Sequence, residues 1–381
     1  MRDMVEIGMG RTARRTYELD EINIVPSRRT RSSQDVSTGW QLDAYRFDIP
    51  VIAHPTDALV SAAFAIELGR LGGLGVLNGE GLIGRHTDVD ACIARVIEAA
   101  EKQDDPAVPV RMLQELHAAP LDLDLLGEAV ARVREAGVTT AVRVSPQNAQ
   151  ALTPTLVAAG IDLLVIQGTI ISAERVVQGR DGGEPLNLKT FISELDVPVV
   201  AGGVADHRTA LHLMRTGAAG VIVGYGATSG VTTSDEVLGI SVPMATAIAD
   251  AAAARREYLD ETGGRYVHVL ADGDIHTSGE LAKAIACGAD AVMLGTPLAT
   301  AAEALGGGWY WPSAAAHPSL PRGALLQVAL GERPPLARVL NGPSDDPFGS
   351  LNVVGGLRRS MAKAGYCDLK ELQKVELTVG S

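Results

Sequence analysis

The sequence has little aromatic content, few cysteines and no long apolar run. Aromatic residues make up 4% of its 381 residues, and its three cysteines, Cys92, Cys287 and Cys367, lie far apart without CxxC or Cys/His spacing. That spacing argues against a zinc site and indicates buried thiols in a reducing compartment. Nowhere do about 18 apolar residues follow one another without a charge, and residues 1–11 lack the apolar core of a signal peptide. We therefore expect a cytoplasmic protein with neither a metal nor a membrane span.

Positive charge is also scarce. The chain has 33 Lys and Arg against 46 Asp and Glu, a net charge of −13. Such a balance repels phosphate backbones, so we expect no nucleic-acid partner, although small phosphorylated ligands remain compatible with it. With 46% hydrophobic and 21% charged residues the chain is not disordered, and its length suits one large domain or two smaller ones.

Short β-rich runs alternate with helical stretches along most of the chain. The runs are apolar on both faces, as expected for parallel strands buried between two layers. We predict eight strands: Ile49–Ala53, Leu74–Asn78, Thr139–Val144, Asp162–Gln167, Val197–Gly202, Gly220–Tyr225, Val267–Ala271 and Ala291–Thr296.

One helix-to-strand connection recurs before several of these strands. It consists of an Ala-rich helix, a glycine and then one or two residues, as in AAGIDLLVI, RTGAAGVIVG and ACGADAVMLG. The glycine is predicted to end the helix with a positive φ. Eight such units predict a closed (β/α)₈ barrel of about 250 residues plus insertions, and branched aliphatic residues would fill its interior. An open, doubly wound parallel sheet is the alternative.

We expect one barrel domain over residues 1–381, with two elaborations. Residues 79–137 are too long for one crossover helix and hold an acidic stretch, EKQDDPAVP, and a further strand candidate. Residues 306–356 are predicted to form flap-like loops over the barrel mouth. Two of the three tryptophans lie there among Gly and Pro, as a lid or as a surface loop anchored by its own aromatics.

Loops after the last three strands suggest phosphate binding, because function in barrels gathers at the carboxyl ends of strands. After strand six comes GYGATSGVTTSDEV, after strand seven ADGDIHTSG, and after strand eight LGTPLA. Backbone N–H groups and hydroxyls in such loops can wrap an anion. Turns that need a positive φ are the alternative explanation for most glycines here.

These loops together resemble the IMP dehydrogenase and GMP reductase family, and in particular a short actinobacterial branch without CBS modules. The resemblance covers almost the full chain. It rests on YELDEINIVPSRRT, IPVIAHPTD, the strand-six loop, LADGDIHTSGELAKAIACGADAVMLGT and VVGGLRRSMAKAGY. It implies a (β/α)₈ barrel, a purine nucleoside monophosphate as ligand, NAD or NADP as cofactor, and a homotetramer or octamer.

Carried over position by position, the resemblance implies a phosphate site and a ribose site. Ser229, Gly273, Gly295 and Thr296 would contact the phosphate, and Asp272 would accept from the ribose hydroxyls. Asp274 replaces a family glycine and would place a carboxylate near a dianion.

His276 is the nearby residue that could supply a compensating cation for Asp274, with a solvated loop histidine as the alternative. His54 and Thr56, after strand one, are candidate contacts to the base. His54 could equally be a hydrogen-bonded histidine of the barrel rim.

The catalytic position departs from the family pattern. The family loop G-x-G-P-G-S-x-C-T-T carries the nucleophilic cysteine, and Val231 stands in its place. A valine cannot form the covalent adduct, and the hydroxyls of Thr232 and Thr233 have no adjacent His or Lys base. Gln167 replaces the aspartate that contacts the dinucleotide ribose and remains a weak cofactor candidate, and Gly203 replaces an asparagine.

Two hypotheses follow from this combination. The protein is an oxidoreductase of purine nucleotide metabolism that does not use the cysteine adduct. Alternatively, it is a catalytically inactive nucleotide-binding paralogue that acts as a sensor or joins a catalytic relative in mixed oligomers.

Overall fold

A computed structural model of the protein describes residues 3–102, 105–168, 186–225, 239–316 and 324–380. Eight parallel strands close into a barrel in which each strand pairs with its neighbours in sequence and the eighth pairs with the first. All eight predicted strands are present, so the (β/α)₈ fold is confirmed and the open sheet is not formed. The strands are β1 (Val51–Ala53), β2 (Leu74–Asn78), β3 (Ala141–Val144), β4 (Leu163–Gln167), β5 (Val199–Val204), β6 (Gly220–Val223), β7 (His268–Asp272) and β8 (Ala291–Leu294).

The barrel strands are almost wholly buried, as expected for parallel strands covered by helices on one face and packed in the interior on the other. The strand positions that are half-buried instead are polar: Arg143, Gln167 and His268. Asp272 is polar as well, and it is buried at the carboxyl end of β7. Arg143, Gln167 and Asp272 therefore place polar groups toward the carboxyl ends of their strands, where a site can form, whereas His268 begins β7 at the opposite end of the barrel.

Helices surround the barrel, and glycines end several of them as predicted. Gly160, Gly217 and Gly288 have φ values of 86°, 99° and 120°, so the recurring connection does use positive φ. The helices are α1 (Ala62–Arg70), α2 (Val89–Lys102), α3 (Ala107–His117), α4 (Leu123–Glu135), α5 (Ala149–Ala159), α6 (Leu188–Ser193), α7 (His207–Met214), α8 (Met244–Thr262), α9 (Ser278–Cys287), α10 (Thr296–Ala299), α11 (Leu336–Asn341), α12 (Val353–Ala364) and α13 (Leu369–Leu372). Within the described ranges, no helix is both long and apolar enough to span a bilayer.

The connection from β2 to β3 is helical. It contains a 3₁₀ turn, Leu82–Gly84, followed by α2, α3 and α4. Residues 79–102 and 105–137 contain no strand, so the further strand expected in this segment is wrong. Its apolar residues recur at helical spacing, as Ile93 and Val96 do on the buried face of α2.

Short two-stranded sheets flank the barrel. Trp309–Tyr310 pairs antiparallel with Leu326–Gln327, which folds the segment after β8 back on itself. The other pairs are Met4–Gly8 with Arg11–Arg14, Ile22–Ile24 with Leu377–Val379, and Trp40–Leu42 with Tyr45–Phe47; Ser33–Asp35 and Ser313–Ala316 are 3₁₀ turns.

Gly75 in β2 allows α1 to pack closely on the barrel. A Cβ at this position would lie 2.5 Å from the Cα of Ala65. We expect Gly75→Ala to lower the free energy of unfolding by about 1–3 kcal/mol, because backbone must move to relieve the overlap. Gly127→Ala in α4 is the matched control: its Cβ would meet nothing within 4 Å, and alanine should raise stability by up to about 1 kcal/mol. Urea unfolding of both variants checks this, and equal stability of Gly75→Ala and the wild type would contradict it.

Candidate functional site at the barrel mouth

The carboxyl ends of β1, β7 and β8 bring several of the predicted site residues together. His54 follows β1, and its backbone N–H donates to the Leu294 carbonyl of β8 at 2.9 Å. Asp272 is the last residue of β7, and Gly295 precedes α10 directly after β8. Because β8 pairs with β1 in the closed barrel, residues that follow these two strands lie close together although they are far apart in the sequence.

Asp272 joins three strand ends through its carboxylate. The Gln167 amide nitrogen donates to Asp272 Oδ2 at 2.6 Å, and His54 Nε2 lies 3.5 Å from the same oxygen. The carboxylate is buried, with the residue 2% exposed. A second carboxylate at position 167 would repel Asp272 at this distance, whereas an amide can donate to it. The glutamine that departs from the family pattern is therefore complementary to Asp272.

Tyr310 completes this cluster, although no motif in the sequence marks it as a site residue. Its hydroxyl lies 3.4 Å from His54 Nδ1, and the residue is 2% exposed. Burial raises the pKa of Tyr310, and the charges of Asp272 and Asp274 raise it further, so the phenol stays protonated. A phenol that donates to Nδ1 leaves the His54 proton on Nε2, facing Asp272. The available signal was only the aromatic character of the segment after β8.

The backbone permits the approach of Tyr310 because position 295 is glycine. A Cβ on Gly295 would lie 2.5 Å from the Tyr310 hydroxyl oxygen. Thr56, the other candidate base contact, is fully buried, and its hydroxyl donates to the Trp311 carbonyl at 2.5 Å. In this structure Thr56 thus anchors the segment that carries Tyr310.

Three polar residues meet beside Gly273 and Gly295, where the phosphate was predicted. His276 Nδ1 lies 2.9 Å from Thr296 Oγ1, and His276 Nε2 lies 3.6 Å from Asp274 Oδ1. The hydrogen bond to Asp274 raises the pKa of His276, against the opposing effect of burial. The structure thus pairs the carboxylate that departs from the family pattern with the histidine suggested as its cation.

A second ion pair, between β3 and the loop after β2, supports β4. Arg143 Nη1 lies 3.1 Å from Glu80 Oε2, and Arg143 Nη2 donates to the Gln167 carbonyl at 2.8 Å. Glu80 also accepts from the backbone N–H and the hydroxyl of Ser145. Sequence reasoning missed this pair, although an arginine inside the apolar strand TAVRV was a signal.

Four predicted positions lie outside the described residues: Ser229, Val231, Thr232 and Thr233. Of the cysteines, Cys287 ends α9, and burial raises the pKa of its thiol to about 12. It is therefore protonated at neutral pH and a poor nucleophile. Burial also raises the pKa of Cys92. Neither thiol shows the depressed pKa that would favour a relocated nucleophile.

The described part of the chain contains no group of three His, Cys, Asp or Glu side chains arranged to hold a metal ion. What the mouth offers is a buried carboxylate, a protonated phenol, two histidines and a threonine hydroxyl. Such a set suits hydrogen bonding to a polar ligand. The fold and the site together define the class of protein: a (β/α)₈ barrel with a polar site at the carboxyl ends of its strands.

Comparison with known proteins gives the family. The model of the IMP dehydrogenase / GMP reductase domain matches residues 16–314. The chain belongs to the IMP dehydrogenase / GMP reductase family, whose members are oxidoreductases.

Several relatives are similar along their whole length, and two serve as examples. An uncharacterized oxidoreductase of Mycolicibacterium smegmatis is 86% identical over 378 residues, covering 99% of this chain and 100% of the relative. One of Mycobacterium tuberculosis is 85% identical over 377 residues, with the same coverage. Inosine-5′-monophosphate dehydrogenase of Pasteurella multocida is 39% identical over 169 residues, 44% of this chain and 31% of that enzyme.

Among solved structures, the IMP dehydrogenase/GMP reductase-like protein from Corynebacterium glutamicum has a TM-score of 0.93 and 59% sequence identity. The match covers 99% of this chain and 98% of that one. The resemblance drawn from the sequence motifs is thereby confirmed.

Proposed function

We propose that the barrel mouth binds a purine nucleoside monophosphate. Gly273, Gly295 and Thr296 contact its phosphate together with Ser229, and Asp272 accepts from its ribose. The observation that carries this proposal is the convergence of Asp272, Gly273 and Gly295–Thr296 at the ends of β7 and β8, which pair directly. The family match supports the same ligand class.

His54 is the residue that we place next to the purine. It is 13% exposed at the side chain and is held between Asp272 and Tyr310. A ring fixed in this way can present a defined hydrogen-bonding edge to the base. Thr56 is a base contact only if its hydroxyl leaves the Trp311 carbonyl.

We further propose that the protein is a nicotinamide-dependent oxidoreductase of purine nucleotide metabolism, working in the cytoplasm as a homotetramer or octamer. NAD or NADP supplies hydride chemistry when bound. Gln167 fits such a cofactor only in part: its amide nitrogen is engaged by Asp272, and its Oε1, without a partner among the described residues, remains as one acceptor. Because Val231 replaces the family cysteine, the proposed reaction does not pass through a cysteine adduct.

The second candidate function is a catalytically inactive nucleotide-binding paralogue, a sensor or an assembly partner of a catalytic relative. The observation that favours it comes from the sequence: Val231, Gln167 and Gly203 replace residues of the family pattern on the side of the site where the reaction would take place. At Gly203 a side chain would clash with the Gly224 carbonyl oxygen, so an asparagine does not fit this backbone.

Binding and turnover measured on the same protein separate the two functions. Calorimetry with IMP, XMP and GMP tests binding, and absorbance at 340 nm with each oxidised or reduced nicotinamide dinucleotide tests turnover. We expect binding and a slow, measurable turnover, and we expect Ser229→Ala to weaken both by about tenfold through the loss of a charged hydrogen bond.

Ser193→Ala, on the exposed side of α6, is the control and should behave as the wild type. Tight binding without turnover in any pairing selects the paralogue. Failure of all three nucleotides to bind overturns both functions.

A further inference from the structure

Asp274, His276 and Thr296 form a chain of polar contacts at the proposed phosphate site. We call this chain the relay. His276 Nε2 faces Asp274 Oδ1 at 3.6 Å, and His276 Nδ1 faces Thr296 Oγ1 at 2.9 Å. Asp274 and His276 come from the loop after β7, and Thr296 begins α10 after β8. The relay therefore connects a carboxylate to the hydroxyl that the proposed function assigns to the phosphate.

The protonation state of His276 determines what the Thr296 hydroxyl can do. A neutral ring with its proton on Nε2 toward Asp274 has a lone pair on Nδ1, and Thr296 donates its only hydrogen to it. A phosphate then meets an oxygen without a free hydrogen. A charged ring donates from both nitrogens, so Thr296 Oγ1 accepts from Nδ1 and its hydrogen is free for a phosphate oxygen.

We propose that protonation of His276 switches the Thr296 hydroxyl from a donor to histidine into a donor to the ligand phosphate. The protonation state of His276 thereby sets the affinity of the site for the nucleotide phosphate. His276 is a positioning residue in this account, since it acts through Thr296. The inference rests on the proposed nucleotide site. It also assigns a function to Asp274, which holds the proton on the ring rather than opposing the phosphate.

The charges around the ring favour the protonated form. Asp274 is the nearest, and Glu280 accepts from the His276 backbone N–H at 2.7 Å. Glu18 also interacts electrostatically with Asp274. Through the hydrogen bond to Asp274 and the charges of Asp274 and Glu280, the pKa of His276 is raised above its ordinary value.

A raised pKa gives the sign of the pH dependence. The contribution of the Thr296 hydroxyl to binding is present below the raised pKa of His276 and is lost as the pH increases through it. A bound phosphate adds negative charge near the ring and raises this pKa further, so binding takes up protons where the free ring is partly neutral.

Calorimetric titration of GMP and IMP at pH 6.5 and pH 8.0, in two buffers of different ionisation enthalpy, tests the relay. The variants are His276→Ala, Thr296→Val, Thr296→Ser and the double variant His276→Ala/Thr296→Val. The phosphate of a nucleotide itself titrates near pH 6, and His276→Ala reports that effect alone.

We expect the wild type and His276→Ala to bind about equally at pH 6.5, where the Thr296 hydrogen is free in both. At pH 8.0 His276→Ala should bind about tenfold more tightly, the factor for one hydrogen bond to a charged group, because the neutral ring of the wild type takes that hydrogen. Thr296→Val should bind about tenfold less tightly than the wild type at pH 6.5 and about equally at pH 8.0. The double variant should match Thr296→Val at both pH values, and Thr296→Ser should retain the wild-type pH profile. Proton uptake should disappear in His276→Ala.

A constant ratio between wild type and His276→Ala across the two pH values, or a gain at pH 8.0 that persists in the double variant, overturns the relay while leaving the nucleotide site in place. Absence of nucleotide binding to the wild type at both pH values overturns the nucleotide site and the relay together.

Discussion

Replacing Asp290 by alanine is expected to lower the free energy of unfolding by about 3–5 kcal/mol, the loss typical of breaking a buried ion pair. Asp290 precedes β8 at the amino-terminal end of the barrel and is 2% exposed. Arg255 Nη1 lies 2.8 Å from Asp290 Oδ2, and the Tyr266 hydroxyl donates to Asp290 Oδ1 at 2.9 Å. Lys370 of α13 also donates to the carboxylate.

The expected loss is large because the partners cannot be rehydrated in place. Arg255 is 6% exposed and would keep a buried charge without its counter-ion. The backbone N–H of Val269, bonded to Asp290 Oδ2 at 2.9 Å, would lose its acceptor. Burial alone would raise the pKa of Asp290, but Arg255 and Lys370 lower it overall. The stabilisation is therefore present above the pKa of an unfolded aspartate and is lost as the pH falls through the lowered, folded value.

Urea unfolding of Asp290→Ala and of a matched control measures this difference. Asp345→Ala is the control, because Asp345 pairs with Arg338 at 2.8 Å but is 78% exposed at the side chain. An exposed pair of this kind contributes about 0–1 kcal/mol. Similar losses in the two variants would contradict a stabilising role for the buried cluster.

Asp272→Ala is expected to weaken nucleotide binding by at least about 100-fold, the largest functional effect that we predict. Each hydrogen bond from a ribose hydroxyl to a carboxylate contributes about 1.5–3 kcal/mol. The variant also removes the acceptor that holds Gln167 and His54. Both the ligand contact and the order of the surrounding side chains are lost at once.

Calorimetry against GMP and IMP provides the measurement, with circular dichroism to verify folding. Asp272→Asn retains one acceptor and should give an intermediate loss of about tenfold. Asp162→Ala is the matched control, since Asp162 lies at the opposite end of the barrel, where it accepts from the Thr140 N–H at 2.8 Å. Wild-type affinity in Asp272→Ala would overturn the ribose assignment.

Much of the fold could be predicted from local sequence features. β2 is buried on both faces and therefore stands out in the sequence as an apolar run. Its predicted bounds, Leu74–Asn78, are those of the structure. The fifth strand was predicted two residues early, as Val197–Gly202 against Val199–Val204, since apolar content alone does not mark where a strand begins. The failed strand between β2 and β3 has the same cause, because a short apolar run fits a helix face as well.

The site could be predicted only in part. Gly273 and Gly295 carry family motifs that a sequence displays directly. The bond between His54 and Tyr310 joins residues 256 positions apart, and no local pattern encodes such a distance. Arg143 was visible as a charge in an apolar strand, but its partner Glu80 was not.

By itself, the sequence determined the barrel, the family and the absence of a cysteine at position 231, because periodicity, helix-ending glycines and motif residues are local features. Tertiary structure alone decided how the polar groups are paired. Closing the barrel sets β8 beside β1, and the segment after β8 brings Tyr310 to His54. That closure gives Asp272 its partners Gln167 and His54, and gives His276 its place between Asp274 and Thr296. The chain has few cysteines and a valine at position 231, so the cysteine adduct is excluded there. The pairings of the polar groups define which side chains remain available to bind or react with a ligand.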